Sequence, residues 1–204
     1  MTTDPLLKYR EQHKHRLNYM PWLYWSLKPK HREWAEAWQA EYQAYLMEME
    51  TIEIGKNCFI SPLAHIFAER GRKISIGDNT FIAADCTLHG PLEIGNEVAI
   101  NHHCILDGGR AGIKLHDQVR IAAYSHLYAF DHGMDLERPI YQQAVTSKGI
   151  EIGQDVWLGA HVGIKDGVKI GDHAVIGMNS MVTKDIEKHA IVAGNPARLI
   201  RYRK

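Results

Sequence analysis

The sequence is short of cysteine, of net charge and of long apolar runs. Three cysteines stand among 204 residues with no C-x-x-C pair, which excludes a disulfide framework and points to a reducing, cytoplasmic setting. Lysine plus arginine balances aspartate plus glutamate at 24 each, so no nucleic-acid-binding surface covers the whole molecule, although a local basic patch is permitted. The aromatic stretch "YMPWLYW" is far too short to span a membrane, and no other apolar run is longer. Asp4, Lys8, Arg10 and Glu11 fall where an export signal needs an apolar centre, so no such signal is read. The length suits one core with a small appendage.

What the chain does have is a period of six. From Ile152 an aliphatic residue recurs at Leu158, Ile164, Ile170, Ile176 and Val182. Two places before each stands a small or apolar residue: Ile150, Val156, Val162, Val168, Ala174 and Ser180. Glycine follows at Gly153, Gly159, Gly171 and Gly177, where it suits a tight corner or a close backbone approach. The register also runs from Ile76 through Ile82, Leu88, Ile94 and Ile100 to Leu106, with shorter blocks at Ile54, Ile60 and Ile66 and at Leu115, Ile121 and Leu127. A helix would space its apolar residues by three and four. A period of six means a short strand and a corner, repeated, and three such units close a triangular coil of eighteen residues. Coils then stack at about 4.8 Å, placing Ile152 next to Ile170 and Leu158 next to Ile176. Eighteen units predict about six coils.

This pattern resembles the hexapeptide-repeat acyltransferases, among them the galactoside and maltose O-acetyltransferases and related xenobiotic and polysaccharide acetyltransferases. The resemblance implies a mainly β fold, a left-handed parallel β-helix. Its handedness comes from the resemblance alone, since parallel crossovers elsewhere are right-handed.

The organisation expected is an N-terminal helical segment over 1–50, a β-helix over 51–187 and a basic C-terminal extension over 188–204. In "REWAEAWQAEYQAYLMEM", Trp34, Trp38, Tyr42 and Tyr45 share one helical face and are expected to pack on the end or side of the β-helix or on a neighbouring subunit. A second helix is read in "DPLLKYREQHKHRLNYM". Such a cap would also cover unpaired strand edges. Cys58, Cys86 and Cys104 each precede an inward aliphatic by two places and read as buried small hydrophobes, not catalytic thiols. His65, His102, His103, His116, His126, His161 and His173 read as solvated or interface groups.

The count breaks at "AERGRK", around "DGGRAG", and most widely between Leu127 and Ile152, a step of 25. The last break extrudes a loop over 128–149. Loops of that length in compact domains are usually functional, and Met134, Leu136, Ile140 and Tyr141 are expected to pack it into an ordered arm. His132 stands at its base.

The resemblance assigns roles. A catalytic histidine opens such a loop about twenty residues before the next I-x-I-G, and His132 stands so before "IEIG"; it is the expected general base. "VWLGAHVGIKDGVKIGDHAVIGMNSMVTKDI" and "VAGNPARLIR" look like the family's donor-site coils and C-terminal segment. By that match Trp157 lines the pantetheine channel, the backbone amides of Ala160 and Met178 contact coenzyme A, Thr183 and Lys184 lie along its nucleotide end, and Arg198 and Arg201 face its phosphates. Asn101 matches an asparagine that contacts the acceptor and the reacting centre, and Asp107 an acceptor-binding aspartate. His102 and His103 depart from the family's usual neighbours, which leaves the acceptor open.

The function so implied is acetyl-CoA-dependent O-acetylation of a sugar or sugar-like hydroxyl, without a metal, by direct transfer in a homotrimer whose active sites lie between subunits. Alternatives are N-acylation of an amino sugar, a metal enzyme like the γ-class carbonic anhydrases, and a non-catalytic scaffold. The carbonic anhydrases pair ligands five residues apart, whereas His126 and His132 are six apart.

Overall fold

The computed structural model describes residues 5–204; Asp4, counted with the first helix in the sequence, lies outside the described residues. Three parallel sheets form the sides of a prism. The first face stacks Ile52–Ile54, Ile74–Ile76, Leu92–Ile94, Ile113–Leu115, Ile150–Ile152 and Lys169–Ile170. The second stacks Phe59–Ile60, Phe81–Ile82, Ala99–Ile100, Arg120–Ile121, Trp157–Leu158 and Val175–Ile176. The third stacks His65–Phe67, Thr87–His89, Ile105–Asp107, His126–Tyr128, Gly163–Ile164 and Met181–Val182. Together they make a mainly β solenoid of about six coils.

Strands this short cannot stand alone; each is held by the strands above and below and by its inward side chain. Ile152 pairs with Ile170 and Leu158 with Ile176, as the count of eighteen requires. Insertions are absorbed at corners without loss of register, so Ile54 pairs with Ile76, Ile100 with Ile121, and Leu115 with Ile152 across the whole extruded loop. Apart from half-buried Ile54 the inward aliphatics are buried, Ile60, Ile82, Ile100, Ile121, Leu158 and Ile176 forming one column. Burying each such side chain stabilises by about 1.5–3 kcal/mol. The three cysteines are buried and free, as expected of packing residues.

The glycines after the inward aliphatics do not turn the corners. The left-handed residues stand two places further on, at Asn57, Asn79, Glu97, Gln118, Asp155 and His173 between faces one and two. Glycine serves close approach instead: a Cβ on Gly159 would lie 2.6 Å from the Met178 nitrogen in the next coil.

Helix α1 (Pro5–Tyr19), a 3₁₀ turn (Pro21–Ser26) and helix α2 (Pro29–Met49) lie against the first coils. Leu17, Tyr24 and Ala35 cover Phe59, Phe81 and Ala99, the outward residues of face two in the first three coils. Leu46 and Tyr42 close the interior below the first coil. The buried centre of α2 differs from the expected aromatic stripe: Ala35, Gln39 and Leu46 are buried, Trp34 and Trp38 only half-buried, and Tyr45 exposed. A helix laid along an unpaired strand edge must offer both a donor and an acceptor there, which the Gln39 amide supplies and an indole, a donor only, does not. At the other end, Ala190–Ala193 extends face two and Arg198–Tyr202 pairs with it antiparallel. No helix among the described residues is long and apolar enough to cross a membrane.

Candidate active site

Two corners of the prism have the same backbone shape and opposite hydrogen-bond economies. Between faces one and two, the amide preceding the left-handed residue is capped by a side chain of the next coil in four coils, those of Asp117 and Asp172 being the exceptions. Lys56 N–H donates to Asp78 Oδ1 at 2.7 Å, Asp78 N–H to Asn96 Oδ1 at 2.8 Å, Asn96 N–H to Asp117 Oδ1 at 2.7 Å, and Gln154 N–H to Asp172 Oδ1 at 2.8 Å. Between faces two and three the corresponding residues are Pro62, Ala84, His102, Ala123, Ala160 and Met178, none with a short acceptor. The amides of His102, Ala123, Ala160 and Met178 donate to no partner among the described residues. Four successive coils therefore present an open N–H along one edge, a column suited to an extended chain of hydrogen-bond acceptors.

Asn101 stands at this same edge. Its Nδ2 donates to the Ile121 carbonyl at 2.8 Å, leaving Oδ1 uncommitted. Beside it, burial and the neighbouring His103 hold the His102 imidazole below its ordinary pKa, and His102 Nδ1 is buried without a hydrogen-bond partner among the described residues.

His132 belongs to the opposite edge of face three. After Tyr128 the chain leaves the wall, and Asp131–His132 pairs antiparallel with Val145–Thr146, making the arm a short hairpin. Its order is polar. Gln143 Oε1 accepts the Asp135 N–H at 2.9 Å, while Nε2 donates to the carbonyls of Asp135 and Arg138 at 2.8 and 2.7 Å. Ser147 ties the root, donating to the Ala129 carbonyl at 2.5 Å and accepting the amides of Arg110 and Ala111 at 3.0 and 2.9 Å. Lys165 pairs with Asp131 at 2.8 Å. The apolar residues expected to pack the arm do not do so within the chain: Met134 is 76 % exposed, Leu136 103 % and Tyr141 82 %, with Ile140 also exposed. The hairpin projects beyond the wall, so its own chain offers those side chains no surface. His132 itself is exposed, with the Phe130 ring 6.5 Å from its own and no hydrogen bond to its imidazole among the described residues.

Asp107 shares the arm's edge, in register with Tyr128. Its carboxylate is engaged, accepting the Gly109 N–H at 3.0 Å and facing His89 Nδ1 at 3.4 Å and Arg72 Nη2 at 3.7 Å. Within one chain, then, Asn101 lies with the Ala160 and Met178 amides, His132 lies with Asp107, and face three separates the two groups.

The basic residues also divide. Thr183, Lys184 and Arg198 line one cleft of about 380 Å³ at the last coil. Arg201 lies with Trp157 and Arg120 on the uncovered half of face two, where Trp157 is 53 % exposed. Sequence reasoning placed individual amides but missed the column as a whole. Its signal was present: two places after the inward aliphatic, one corner carries Asp78, Asn96, Asp117 and Asp172, and the other carries no such residue.

Two family models match the chain: bacterial transferase hexapeptide (six repeats) over residues 149–184, and hexapeptide repeat of succinyl-transferase over residues 73–101. Galactoside O-acetyltransferase of Escherichia coli (strain K12) is 30 % identical over 165 residues, covering 80 % of this chain and 70 % of the relative. A probable acetyltransferase of Mycobacterium tuberculosis is 31 % identical over 136 residues, 66 % of this chain, and the match spans only 44 % of that relative's length. Among solved structures, a mutant of an N-acyltransferase from Bacillus cereus in complex with dTDP and coenzyme A superposes with a TM-score of 0.71 at 30 % identity, over 79 % of this chain and 89 % of that one.

Proposed function

This chain belongs to the hexapeptide-repeat acyltransferases, and from that membership we propose that it transfers an acetyl group from acetyl-CoA to a hydroxyl of a sugar or sugar-like small molecule. The observation that carries the reading is the open amide column. Pantetheine is an extended chain with amide carbonyls: the open N–H of Met178 would take one of them, and that of Ala160, one coil away, is left for the thioester oxygen. Thr183, Lys184 and Arg198 beyond them supply charge-assisted contacts for the phosphate end, and Trp157 and Arg201 a second wall on face two. The thioester then points down the column towards Asn101.

His132 is the proposed base, because imidazole is the side chain that changes charge nearest neutrality. It takes the acceptor's hydroxyl proton as the oxygen attacks the thioester carbonyl. The resulting oxyanion is met by the Ala160 N–H, with Asn101 Nδ2 close to the same edge. The carbon–sulfur bond breaks, and His132 returns the proton to the departing thiolate. Positioning both substrates in one ternary complex contributes much of the rate.

His132 and the amide column occupy opposite edges of face three, so the site is completed by a second chain. The exposed Met134, Leu136, Ile140 and Tyr141 of the arm fit that role, and a homotrimer with three shared sites is the assembly proposed. Thiol release from acetyl-CoA over a panel of sugars, with hydroxylamine lability of the product, tests the function. A labile ester supports it. A stable amide would instead support N-acylation, the chemistry that the Bacillus cereus neighbour is named for.

A further inference from the structure

The open amide column has a defined lower end. Pro62 has no N–H, and the Ala84 N–H donates to the Asn18 carbonyl at 2.7 Å, in the last turn of α1. The Ser61 hydroxyl donates to Asn18 Oδ1 at 3.0 Å, and the Tyr19 hydroxyl donates to Asp85 Oδ2 at 2.9 Å. Asp85 faces His103 Nε2 at 3.5 Å. The end of α1 is thus latched across the first two coils, and the open column starts at His102.

Above the latch stands a column of rings. His103, Tyr124 and His161 occupy left-handed corner positions in successive coils. His103 stacks on Tyr124 with centroids 4.8 Å apart and planes 13° from parallel, and Tyr124 on His161 at 4.9 Å and 3°. Both faces of Tyr124 are taken up in this way, and one face each of His103 and His161, while Tyr124 and His161 remain exposed at the edge. With the donor on Ala160 and Met178, the amides left over are those of His102 and Ala123, one coil or about 4.8 Å apart, each one residue before a stacked ring.

We propose that the His102 and Ala123 amides, with the ring edges beside them, hold the acceptor as an oxygen-rich alcohol, and that the Asn18–Tyr19 end of α1 limits it along the column to about one sugar ring. The inference rests on the acyl-transfer reading above. N–H donors take lone pairs, which hydroxyl and ring oxygens supply and an ammonium group does not. A disaccharide or nucleotide-linked sugar running down the column would meet Tyr19, or would have to displace the Asn18–Ala84 bond.

The test uses the full chain with acetyl-CoA and a matched panel: glucose, galactose, glucosamine, maltose, lactose, UDP-glucose and UDP-galactose. At least one monosaccharide is expected to form an ester, with kcat/KM at least about tenfold above its disaccharide and UDP-linked forms. In Tyr19→Ala that ratio should fall towards one while the KM for acetyl-CoA holds. Tyr19→Phe, which keeps the ring and releases only the Asp85 latch, shifts the ratio the same way and serves if the alanine variant does not fold. Turnover confined to longer acceptors, amide formation on glucosamine, no monosaccharide turnover, or an unchanged ratio in both variants overturns the proposal. Titration calorimetry with acetyl-CoA separates the levels: binding leaves the acyl-donor reading standing, and its absence removes that reading too.

Discussion

Gln39 pairs with Ile60 as a neighbouring strand would. Its Nε2 donates to the Ile60 carbonyl at 3.1 Å, and its Oε1 accepts the Ile60 N–H at 2.8 Å. Gln43 adds a bond from Nε2 to the Cys58 carbonyl at 2.9 Å. The first coil has no coil before it, and a helix side chain supplies the missing ladder. Gln39→Leu keeps the bulk and strips both partners from fully buried Ile60. An unpaired buried polar group costs about 1–3 kcal/mol, so a loss of roughly 2–4 kcal/mol is expected. Urea unfolding reads it, and an unchanged midpoint would contradict the strand-like role.

Gly159→Ala drives a methyl group onto the Met178 nitrogen, one of the open amides. Stability should fall and the KM for acetyl-CoA should rise, by about tenfold if a single hydrogen bond of about 1.4 kcal/mol is lost. Gly177→Ala is the control, since its Cβ would meet the Ala193 side chain at 2.8 Å and no open amide. Calorimetry of acetyl-CoA binding to both variants decides; equal affinities would detach the column from the donor.

His132→Ala should lower turnover by about 10²–10⁴-fold, the usual worth of a general base. Acetyl-CoA affinity should stay nearly intact, because His132 lies across face three from the amides. Activity within a few-fold of the parent chain would mean another base.

Leu136→Glu places a charge on the most exposed apolar residue of the arm. If the arm completes a neighbour's site, sedimentation should show weakened association and turnover should drop together, with circular dichroism unchanged. Full activity in a dissociated form would remove the shared-site reading.

Asp155 accepts from Arg203 Nη1 at 3.0 Å and faces His173 Nδ1 at 3.0 Å. The hydrogen bond with His173, followed by that from Arg203, holds its carboxyl below the ordinary value. A depressed carboxylate stabilises the fold above its unfolded pKa, and that contribution is lost as pH falls through the folded value. Asp155→Asn should therefore cost stability at pH 7, by no more than about 1 kcal/mol for so exposed a pair. The difference from the parent chain should vanish in acid, below the ordinary carboxylate range. Urea midpoints across pH 2–7 check it, and a difference independent of pH would assign the loss to packing.

The wall was legible because its residues answer to one requirement repeated every eighteen positions: Ile152 had to meet Ile170, whatever the corners did. Places where the reading failed answer to partners distant in sequence. Nothing near Gln39 says that it faces Ile60 rather than solvent, and the neighbouring tryptophans make the louder signal. The apolar residues of the arm, Leu136 and Tyr141, were expected to find packing within the chain, but composition cannot say which chain a side chain packs on. His132 could be singled out by its place in the break. Its distance from Asn101 across face three emerges only once register puts the two on opposite edges.

Closure at both ends has a consequence for how this chain can change length. Gln39 terminates the ladder below, and the hairpin of Ala190–Ala193 with Arg198–Tyr202 terminates it above. An eighteen-residue unit duplicated inside the prism would meet the same neighbours above and below as its parent and would leave both terminators in place. A unit added outside either terminator would present a bare ladder to other molecules. Coil number is therefore free to vary by internal duplication and constrained against extension. Because α1 seals the lower coils of the edge proposed to hold the acceptor, a duplication near Cys86 would lengthen that proposed subsite, whereas one near Ile164 would alter the one proposed for the donor.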